Sequence, residues 1–471
     1  MKATIIFLVS FVSLFTFFCL GEERMPVLKV YYTGELIYED YTPGSMILED
    51  TDGVVTEHPA KFKTRGATAR QYTMKPSLNM KLETPEGEEI DDNLLGIRKA
   101  SSFILDAMAI DRICMRNRVC FDIWNSYSRL PYETDFDSRN GTVGKFVIVY
   151  INDIYKGIYC LTDKINRKLL GLKKPQVADD GEVTIRGVLY KQGTNDIGNQ
   201  ETPGFFNDYT VYIPRWHDAW ELKEPEDYPG IPAWQPLIDY YDHFNNSQYV
   251  IDNFYEDNLV DYSLLIMALC ISDNWGNKNK YFSMVNCQKA NDAKFIVTPW
   301  DLDTSLGGHY NGNYYDGNYS HWTMKEIANS ATSPFSICFS NSDVKEKMRQ
   351  RWIETRENSF SVENVAGLMY GYCDLFENSG AWQEQVEYWD TKGSRPKYVG
   401  DLRAEIDQIV DWYAERFNSM DDYFNIDASV SSLPYEYKDE TIYNLQGIPV
   451  AKEKLMPGHI YIRNGKKFIA R

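Results

Sequence analysis

Two aspartates stand two residues apart directly after an apolar segment. Residues 295–299 predict a short buried strand that leads into the sequence Trp-Asp-Leu-Asp at 300–303. In an extended segment residues i and i+2 lie on one side, so Asp301 and Asp303 repel each other unless a cation lies between them. Carboxylate oxygens placed in this way suit Mg²⁺ or Mn²⁺ bound together with phosphate groups. The alternative is a loop of solvated acids, and the buried strand before it favours the metal site.

A second acidic position follows a strongly apolar helix predicted over residues 259–271. Asp273 comes directly after that helix, and Asn279 follows six residues later. In the catalytic loops of protein kinases the Asp receives the proton of the attacking hydroxyl, and an Asn about five residues on binds a second metal ion. Loops rich in Asn and Gly are common, so this spacing alone also fits an ordinary loop.

Basic residues cluster in the first half of a chain that is otherwise acidic. Arg65-Gly66 lies in a loop of small residues and is followed by Lys75 and Lys81. Such a loop can present N–H groups and a guanidinium to phosphates, and lysines on the next strand add point charges. Asp163 and Lys191 stand at the ends of two further predicted strands, as in the lysine–acid pair of kinases. The alternatives are a solvated basic surface and a surface ion pair.

The elements that must position these residues alternate between sheet and helix. Apolar alternation and turn residues predict strands near 28–32, 46–48, 79–82, 145–150, 157–161 and 189–191, and a β-rich tail at 435–471. Apolar residues at helical spacing predict helices over 111–124 and 259–271, from 343 onward, and over 402–417. Residues 195–235 are rich in Pro, Asp, Gly and Trp without a period, which predicts a long loop.

Composition limits the partners and the compartment. The 471 residues carry a formal net charge of −19, which repels phosphate backbones and argues against nucleic acid. Lys2 precedes an apolar run over residues 3–20, which predicts a secretory signal peptide at 1–21 and export to the cell surface, the periplasm or the medium. An uncleaved signal, or lipidation at Cys19, would instead anchor the chain to a membrane. The other seven cysteines are widely spaced within mostly apolar runs, which favours buried small hydrophobic residues over a zinc site.

The order of these segments resembles the CotH kinase family, the atypical kinases related to a spore-coat protein. The similarity covers about residues 26–425 through six short motifs in the family's order. They are Arg65–Thr68 with Lys75 and Lys81; Leu105–Asp111 with Arg116-Asn117; Tyr150–Asn152 with Tyr155–Tyr159; Leu189–Lys191; Asp273 with Asn279; and Pro299–Asp303. Two positions depart from the family pattern, since Ala67 replaces an Asn and Asp163 replaces a Glu.

The resemblance implies an α+β chain with an atypical, reduced protein-kinase-like fold. It implies a β-rich N-terminal lobe at about 25–195, the loop at 195–235, a helical C-terminal lobe at 236–425, and the short β tail. That tail resembles those of secreted and surface proteins of Bacteroidetes-type bacteria. The implied cofactors are ATP with Mg²⁺ or Mn²⁺, and the implied substrate is a surface or secreted protein.

By the same resemblance, Asp273 would be the catalytic Asp, which orients or deprotonates the attacking hydroxyl. The metal ligands would be Asn279, Asp301 and Asp303, and the nucleotide would contact Arg65, Lys75, Lys81, Asp163 and Lys191. Two alternatives remain open. One is a surface or coat scaffold that keeps the fold without catalysis. The other, ranked last, is a glycoside hydrolase, for which two acids at 301 and 303 stand too close together.

Overall fold

A computed structural model describes residues 24–38, 40–66, 73–192, 220–228, 230–275, 279–308, 323–393, 396–426 and 442, together with the strand backbones at 460–463 and 466–469. The predicted signal segment, with Cys19, lies outside the described residues, as do Ala67 and most of the predicted loop at 195–235. None of the described helices is both long and apolar enough to cross a membrane.

Seven strands of the N-terminal region close into a barrel. They are β1 (Val27–Tyr32), β2 (Thr42–Glu49), β3 (Val55–Arg65), β4 (Ser77–Leu82), β5 (Ser102–Asp106), β6 (Gly144–Ile151) and β7 (Ile154–Asp163). Their order around the barrel is β1-β2-β3-β4-β5-β7-β6, and β1 closes it by pairing with β6 in parallel. Alternate apolar side chains, such as Leu28 and Val30, fill the interior. The five strands predicted between residues 28 and 161 are therefore confirmed.

The sharp turn between β6 and β7 follows from its sequence. Asn152 and Asp153 both adopt left-handed backbone angles, with φ of 48° and 62°. Asn and Asp tolerate this conformation, and a two-residue turn of this kind matches the twist of antiparallel strands. The Asn152-Asp153 pair thus sets the register of the β6–β7 hairpin.

A second sheet lies beyond the barrel. It contains β10 (Val188–Gln192), β11 (Trp220–Glu224), β12 (Lys280–Met284) and β13 (Ile296–Pro299), in the order β11-β10-β12-β13 with antiparallel pairing throughout. Two short hairpins complete the described strands: β8 (Gln176–Val177) with β9 (Val183–Thr184), and β14 (Ile460–Arg463) with β15 (Lys466–Ile469). The last of these is the β structure predicted for the tail.

Ten α-helices occur in the described part of the chain, and nine of them follow β11. They are α1 (Arg116–Tyr127), α2 (Ile231–His243), α3 (Ser247–Asn253), α4 (Glu256–Leu269), α5 (Met324–Ser330), α6 (Ile337–Ser340), α7 (Ser342–Arg356), α8 (Val362–Asn378), α9 (Ala381–Asp390) and α10 (Leu402–Phe424). The α+β class and the β-rich N-terminal region agree with the sequence-based prediction.

Helix α4 forms the centre of the larger core. Every residue from Asn258 to Leu269 is buried, which explains why the segment has no polar face. Helix α10 instead buries one side, through Ile406, Ile409 and Tyr413 among others, as its period predicts. Six of the seven described cysteines are buried thiols within these cores, and Cys287 is partly buried.

Two predicted elements differ from the structure. Helix α1 begins at Arg116 rather than near Asp111, because the Asp111 carboxylate accepts hydrogen bonds from the backbone N–H groups of Ile113, Met115 and Arg116 and holds a turn there. The stretch 195–235 was predicted as loop throughout, yet it contains β11 and the start of α2. Its Pro232 lies in the first turn of that helix, where a missing N–H has no cost.

The barrel is joined to the helices by a buried polar contact centred on Lys75. Its ammonium donates to the Ile158 carbonyl at 2.6 Å, to Gln385 Oε1 at 3.1 Å and to the Tyr398 hydroxyl at 3.0 Å. Gln385, on α9, also accepts from the Ile158 N–H at 2.8 Å. Gly157 has φ of +89°, and a Cβ there would lie 2.7 Å from Gln385 Oε1. This Lys75–Gln385 contact therefore requires glycine at position 157.

We predict that Gly157→Ala destabilises the protein more than Gly181→Ala does. Gly181 has φ of +86° with open space around it, so alanine there costs only the backbone term of about 1–2 kcal/mol. At Gly157 alanine has the same backbone cost, and its Cβ must also displace the buried Gln385 side chain. The free energy of unfolding should therefore fall by about 1–3 kcal/mol more than in Gly181→Ala. Urea midpoints of the two variants measure the difference. Equal midpoints would contradict a tight Lys75–Gln385 contact.

Candidate active site

Two loops that carry predicted site acids are joined through their backbones. One follows α4 and contains Asp273, and the other follows β13 and contains Asp301 and Asp303. The Ser272 N–H donates to the Thr304 carbonyl and the Asp273 N–H to Thr304 Oγ1, both at 3.2 Å. The buried strand and the buried helix thus bring acids from distant parts of the sequence together.

Asn274 connects the same two loops through its side chain. Its buried side-chain amide donates to the Asn279 carbonyl at 2.8 Å and to the Trp300 carbonyl at 2.6 Å. The Trp300 N–H in turn donates to the Asn279 carbonyl at 3.1 Å. The backbone of Asn279, a predicted metal ligand, is therefore fixed beside the segment that carries Asp301.

Asp301 and Asn279 both adopt left-handed backbone angles, with φ of 58° and 59°. A non-glycine residue in this region is uncommon, although Asn and Asp tolerate it best. Such conformations persist only where the surrounding contacts enforce them, and they concentrate at functional sites. The Asp301 backbone is thus held in place by its surroundings rather than by its own preference.

A fourth carboxylate joins the group from the barrel. Asp106 ends β5, and its Oδ2 accepts from Asn117 Nδ2 at 2.8 Å. Asn117 lies in the first turn of α1, and its Oδ1 accepts from the Leu302 N–H at 3.0 Å. Asn117 therefore connects Asp106 to the segment 300–303. The sequence-based prediction gave Asp106 no role.

Two of the carboxylates, Asp301 and Asp303, have raised pKa values. Desolvation, followed by the negative charge of Asp106, raises the pKa of Asp301 to about 6, and Asp273 adds to this rise while Arg65 and Lys191 oppose it. Desolvation and then the charge of Asp301 raise the pKa of Asp303 well above its usual range. Asp301 is nonetheless open to solvent. An acid that is surrounded by protein and still reached by water lies in a cleft, and a cation there would relieve the repulsion.

The donor set fits a cation that arrives with phosphate. Among the described residues, no three His, Cys, Asp or Glu side chains are arranged to hold a metal ion by themselves. Mg²⁺ keeps several waters and is usually bound through one or two carboxylates together with substrate phosphates. Asp301 and Asp303 offer such a pair, so they fit Mg²⁺ or Mn²⁺ bound with a nucleotide better than a permanently held metal.

A set of cations faces the acids and comprises Arg65, Lys164, Lys191 and Lys223; we call it the basic cradle. The Arg65 guanidinium lies 4.8 Å from the centre of the Trp300 ring. Lys191 on β10 stands opposite Glu221 on β11, with 3.8 Å between Nζ and Oε1, and Lys223 pairs with the same carboxylate. Arg65 and Lys191 both act on Asp301, so the basic cradle and the carboxylates share one cleft.

The cations of the basic cradle repel one another. Burial, followed by the positive charge of Lys223, lowers the pKa of Lys164 to about 8, and Arg65 adds to the effect. Burial also lowers the pKa of Lys191, against the charge of Glu221. Glu226 partly offsets this repulsion at Lys164, and Glu221 does so at Lys191. A group of cations held this close together favours an anionic ligand, because phosphate oxygens would stabilise all of them.

Three other residues predicted to contact the nucleotide already have protein partners, and their role stays a prediction. Lys75 is fully buried, and its three N–H groups are taken by the contacts that join barrel and helices, so none remains for a phosphate. Lys81 lies on the barrel surface, where it donates to Glu89 at 2.7 Å. Asp163 is buried at the end of β7 and accepts a hydrogen bond from the Val143 N–H at 2.8 Å. Its Oδ2 lies 3.6 Å from Arg98 Nε.

A comparison with known families identifies the family of the chain. The model of the family described as CotH kinase protein matches residues 62–420, well over half of the chain. The protein therefore belongs to the CotH kinase family and is a kinase-like protein. Among curated proteins, no relative matches the chain.

The structure adds five residues around the cleft that the prediction did not assign: Asp106, Lys164, Glu221, Lys223 and Asn274. Asp106, Lys164 and Asn274 stand in segments whose neighbours were singled out, but nothing in their spacing distinguishes them from solvated residues. Glu221 and Lys223 lie in the stretch that was predicted as loop, and only the pairing of β11 with β10 brings them to the cleft.

We predict that Asp301→Asn raises the unfolding midpoint of the metal-free protein at pH 7. The variant removes one of several mutually repelling charges, and sites shaped for function commonly cost stability in this way. Asp52→Asn, in the exposed turn between β2 and β3, serves as the control and should leave the midpoint nearly unchanged. Thermal unfolding in chelator measures both. A lower midpoint for Asp301→Asn would show that its carboxylate is a stabilising contact.

Proposed function

We propose that this protein is an ATP-dependent kinase that transfers the γ-phosphoryl group of ATP to hydroxyls of proteins. One arrangement above all supports the proposal: hydrogen bonds through Thr304, Asn117 and Asn274 bring Asp273 and Asp106 beside the segment that carries Asp301 and Asp303, and the charges of Arg65 and Lys191 act on Asp301. Phosphoryl transfer requires this combination, because catalysis depends on positioning and on neutralising the charge of the phosphates.

The roles follow from the position of each group. Asp273 receives the proton of the attacking hydroxyl, while Asp301 and Asp303, with Asn279, hold the divalent cation. Arg65, Lys164, Lys191 and Lys223 contact the phosphates. When bound by these residues, Mg²⁺ or Mn²⁺ would supply neutralisation of the phosphate charge. Glu221 keeps Lys191 and Lys223 in place while no nucleotide is bound.

The substrate and the compartment are part of the same proposal. The apolar segment 3–20 supports export, and the β-rich tail supports a destination at the surface or in the medium. The substrates would then be surface or secreted proteins rather than nucleic acids. An anchor at Cys19 or an uncleaved signal would keep the enzyme at the membrane. Cell fractionation of a tagged chain and of its Cys19→Ser variant separates these destinations.

We predict ATP-dependent labelling of the protein itself or of co-expressed surface proteins in the presence of Mn²⁺ or Mg²⁺. Asp301→Ala or a chelator should abolish it. Lys191→Met should raise the KM for ATP by about 10- to 100-fold, because a charge-assisted phosphate contact contributes roughly 1.5–3 kcal/mol. Lys168→Met is the control, since Lys168 pairs with Asp91 on the surface. Equal labelling by the wild type and Asp301→Ala would refute phosphoryl transfer at this site.

A thermal shift separates an active kinase from a scaffold that has lost nucleotide binding. ATP with Mn²⁺ at about 100 times Kd should stabilise the folded chain by about 2.7 kcal/mol. Lys191→Met should lose between about half and most of that shift at the same concentration, since a 10- to 100-fold weaker affinity leaves about 1.4 to 0.4 kcal/mol. No shift in the wild type, with no labelling, would favour the scaffold. A shift without labelling would identify a protein that binds nucleotide without transferring phosphate.

A further inference from the structure

The segment 300–303 depends on a few side-chain hydrogen bonds for its position. It has no regular secondary structure, and its Asp301 adopts a left-handed backbone angle. The segment carries the two carboxylates with the most perturbed pKa values of the cleft. Small displacements of such groups are costly, since an error of about 1 Å can reduce a rate about 100-fold. The side chains that fix this segment therefore determine where the Asp301 and Asp303 carboxylates lie, and with them the rate of the proposed reaction.

Two side-chain amides reach the segment from different directions. Asn117 comes from α1 and accepts from the Leu302 N–H, while its Nδ2 donates to Asp106. Asn274 comes from the loop after α4 and donates to the Trp300 carbonyl and the Asn279 carbonyl. Each amide thus connects the segment to one of the other carboxylates: Asn117 to Asp106, and Asn274 to its neighbour Asp273.

The chemistry of both positions calls for a neutral amide. Asn117 must donate to a carboxylate and accept from an N–H, which fixes the orientation of its amide. Asn274 must donate to two carbonyls from inside the protein. An aspartate at either position would set a carboxylate against Asp106 or against two carbonyl oxygens. A leucine of similar shape would leave the same partners unsatisfied.

We propose that Asn117 and Asn274 are positioning residues that hold the segment 300–303 between Asp106 and Asp273, so that the Asp301 and Asp303 pair can bind one divalent cation. They touch neither nucleotide nor substrate and act through the residues that they bond. The inference rests on the proposed phosphoryl transfer. It also makes a claim about cation binding that can be tested without any turnover.

The chain offers a matched control for each residue. Asn125 lies on the same helix as Asn117, is half-buried like it, and donates to the Thr142 carbonyl at 2.8 Å. Asn258 is buried like Asn274 and makes two hydrogen bonds to the Val297 backbone, at 3.0 and 2.6 Å. Leucine at either control position removes similar bonds without touching the segment 300–303.

The test compares Asn117→Leu with Asn125→Leu, and Asn274→Leu with Asn258→Leu. Mn²⁺ is titrated without nucleotide by calorimetry, and kcat and the KM for ATP are then measured. We expect Asn117→Leu and Asn274→Leu to weaken Mn²⁺ binding and to lower kcat by about 10- to 100-fold each, while the controls stay within about threefold of wild type. Urea midpoints of the metal-free proteins should fall similarly within each pair.

Each outcome decides something. If both members of a pair lose Mn²⁺ affinity and kcat alike, the asparagines only stabilise the fold and the positioning role is wrong. If the wild type binds Mn²⁺ but labels nothing, the proposed function fails and the Mn²⁺ comparison still tests the positioning role. If the wild type neither binds Mn²⁺ nor labels any protein, both the proposed function and the positioning role are wrong. Should a leucine variant fail to fold, Asn117→Ser and Asn274→Ser, compared with Asn125→Ser and Asn258→Ser, provide the same comparison.

Discussion

Mutual repulsion among four carboxylates is the constraint around which this molecule is built. Asp106, Asp273, Asp301 and Asp303 act on one another strongly enough to raise the pKa of the two most crowded members. Left to themselves, flexible loops would move such charges apart into water. Here the backbone bonds to Thr304 and the amides of Asn117 and Asn274 keep them together. Holding these charges together lowers the stability of the unliganded fold, and it creates a site where a cation and phosphates bind favourably.

The two sheets and the central helix each contribute one side of the cleft. The barrel supplies Arg65 and Asp106 from the ends of β3 and β5, and the second sheet supplies Lys191 and Lys223. The loops after α4 and β13 supply the remaining acids. Because these elements belong to three hydrophobic cores, the cleft depends on how the cores are joined. The buried Lys75–Gln385 contact is one such junction, and it explains why a lysine without a carboxylate partner is tolerated in the interior.

Candidate site residues could be proposed from the sequence where a reactive side chain directly follows a segment with a clear apolar pattern. Asp301 and Asp303 were predicted as site residues because a buried strand precedes them, and Asp273 because an apolar helix does; their roles stay predictions. The burial of Lys75 was not foreseen because a lysine at the start of a strand has the same pattern whether it faces a cleft or a core. Its partner Gln385 stands 310 positions further along the chain. Lys223 was missed because β11 is defined by its pairing with β10, not by its own period. The β-rich N-terminal region, the central helix α4 and the hairpin at Asn152-Asp153 could be predicted from local sequence alone, without knowledge of long-range contacts.

Closure of the barrel also bears on how the chain behaves among other molecules. Each of its seven strands has a partner on both sides, so no row of unused backbone donors and acceptors faces outward. Open strand edges are the usual template for intermolecular β-pairing and aggregation. The exposed hairpin tip at residues 50–54 carries little of the interior packing. It is therefore a natural place to insert an epitope or a fluorescent reporter without disturbing the cleft.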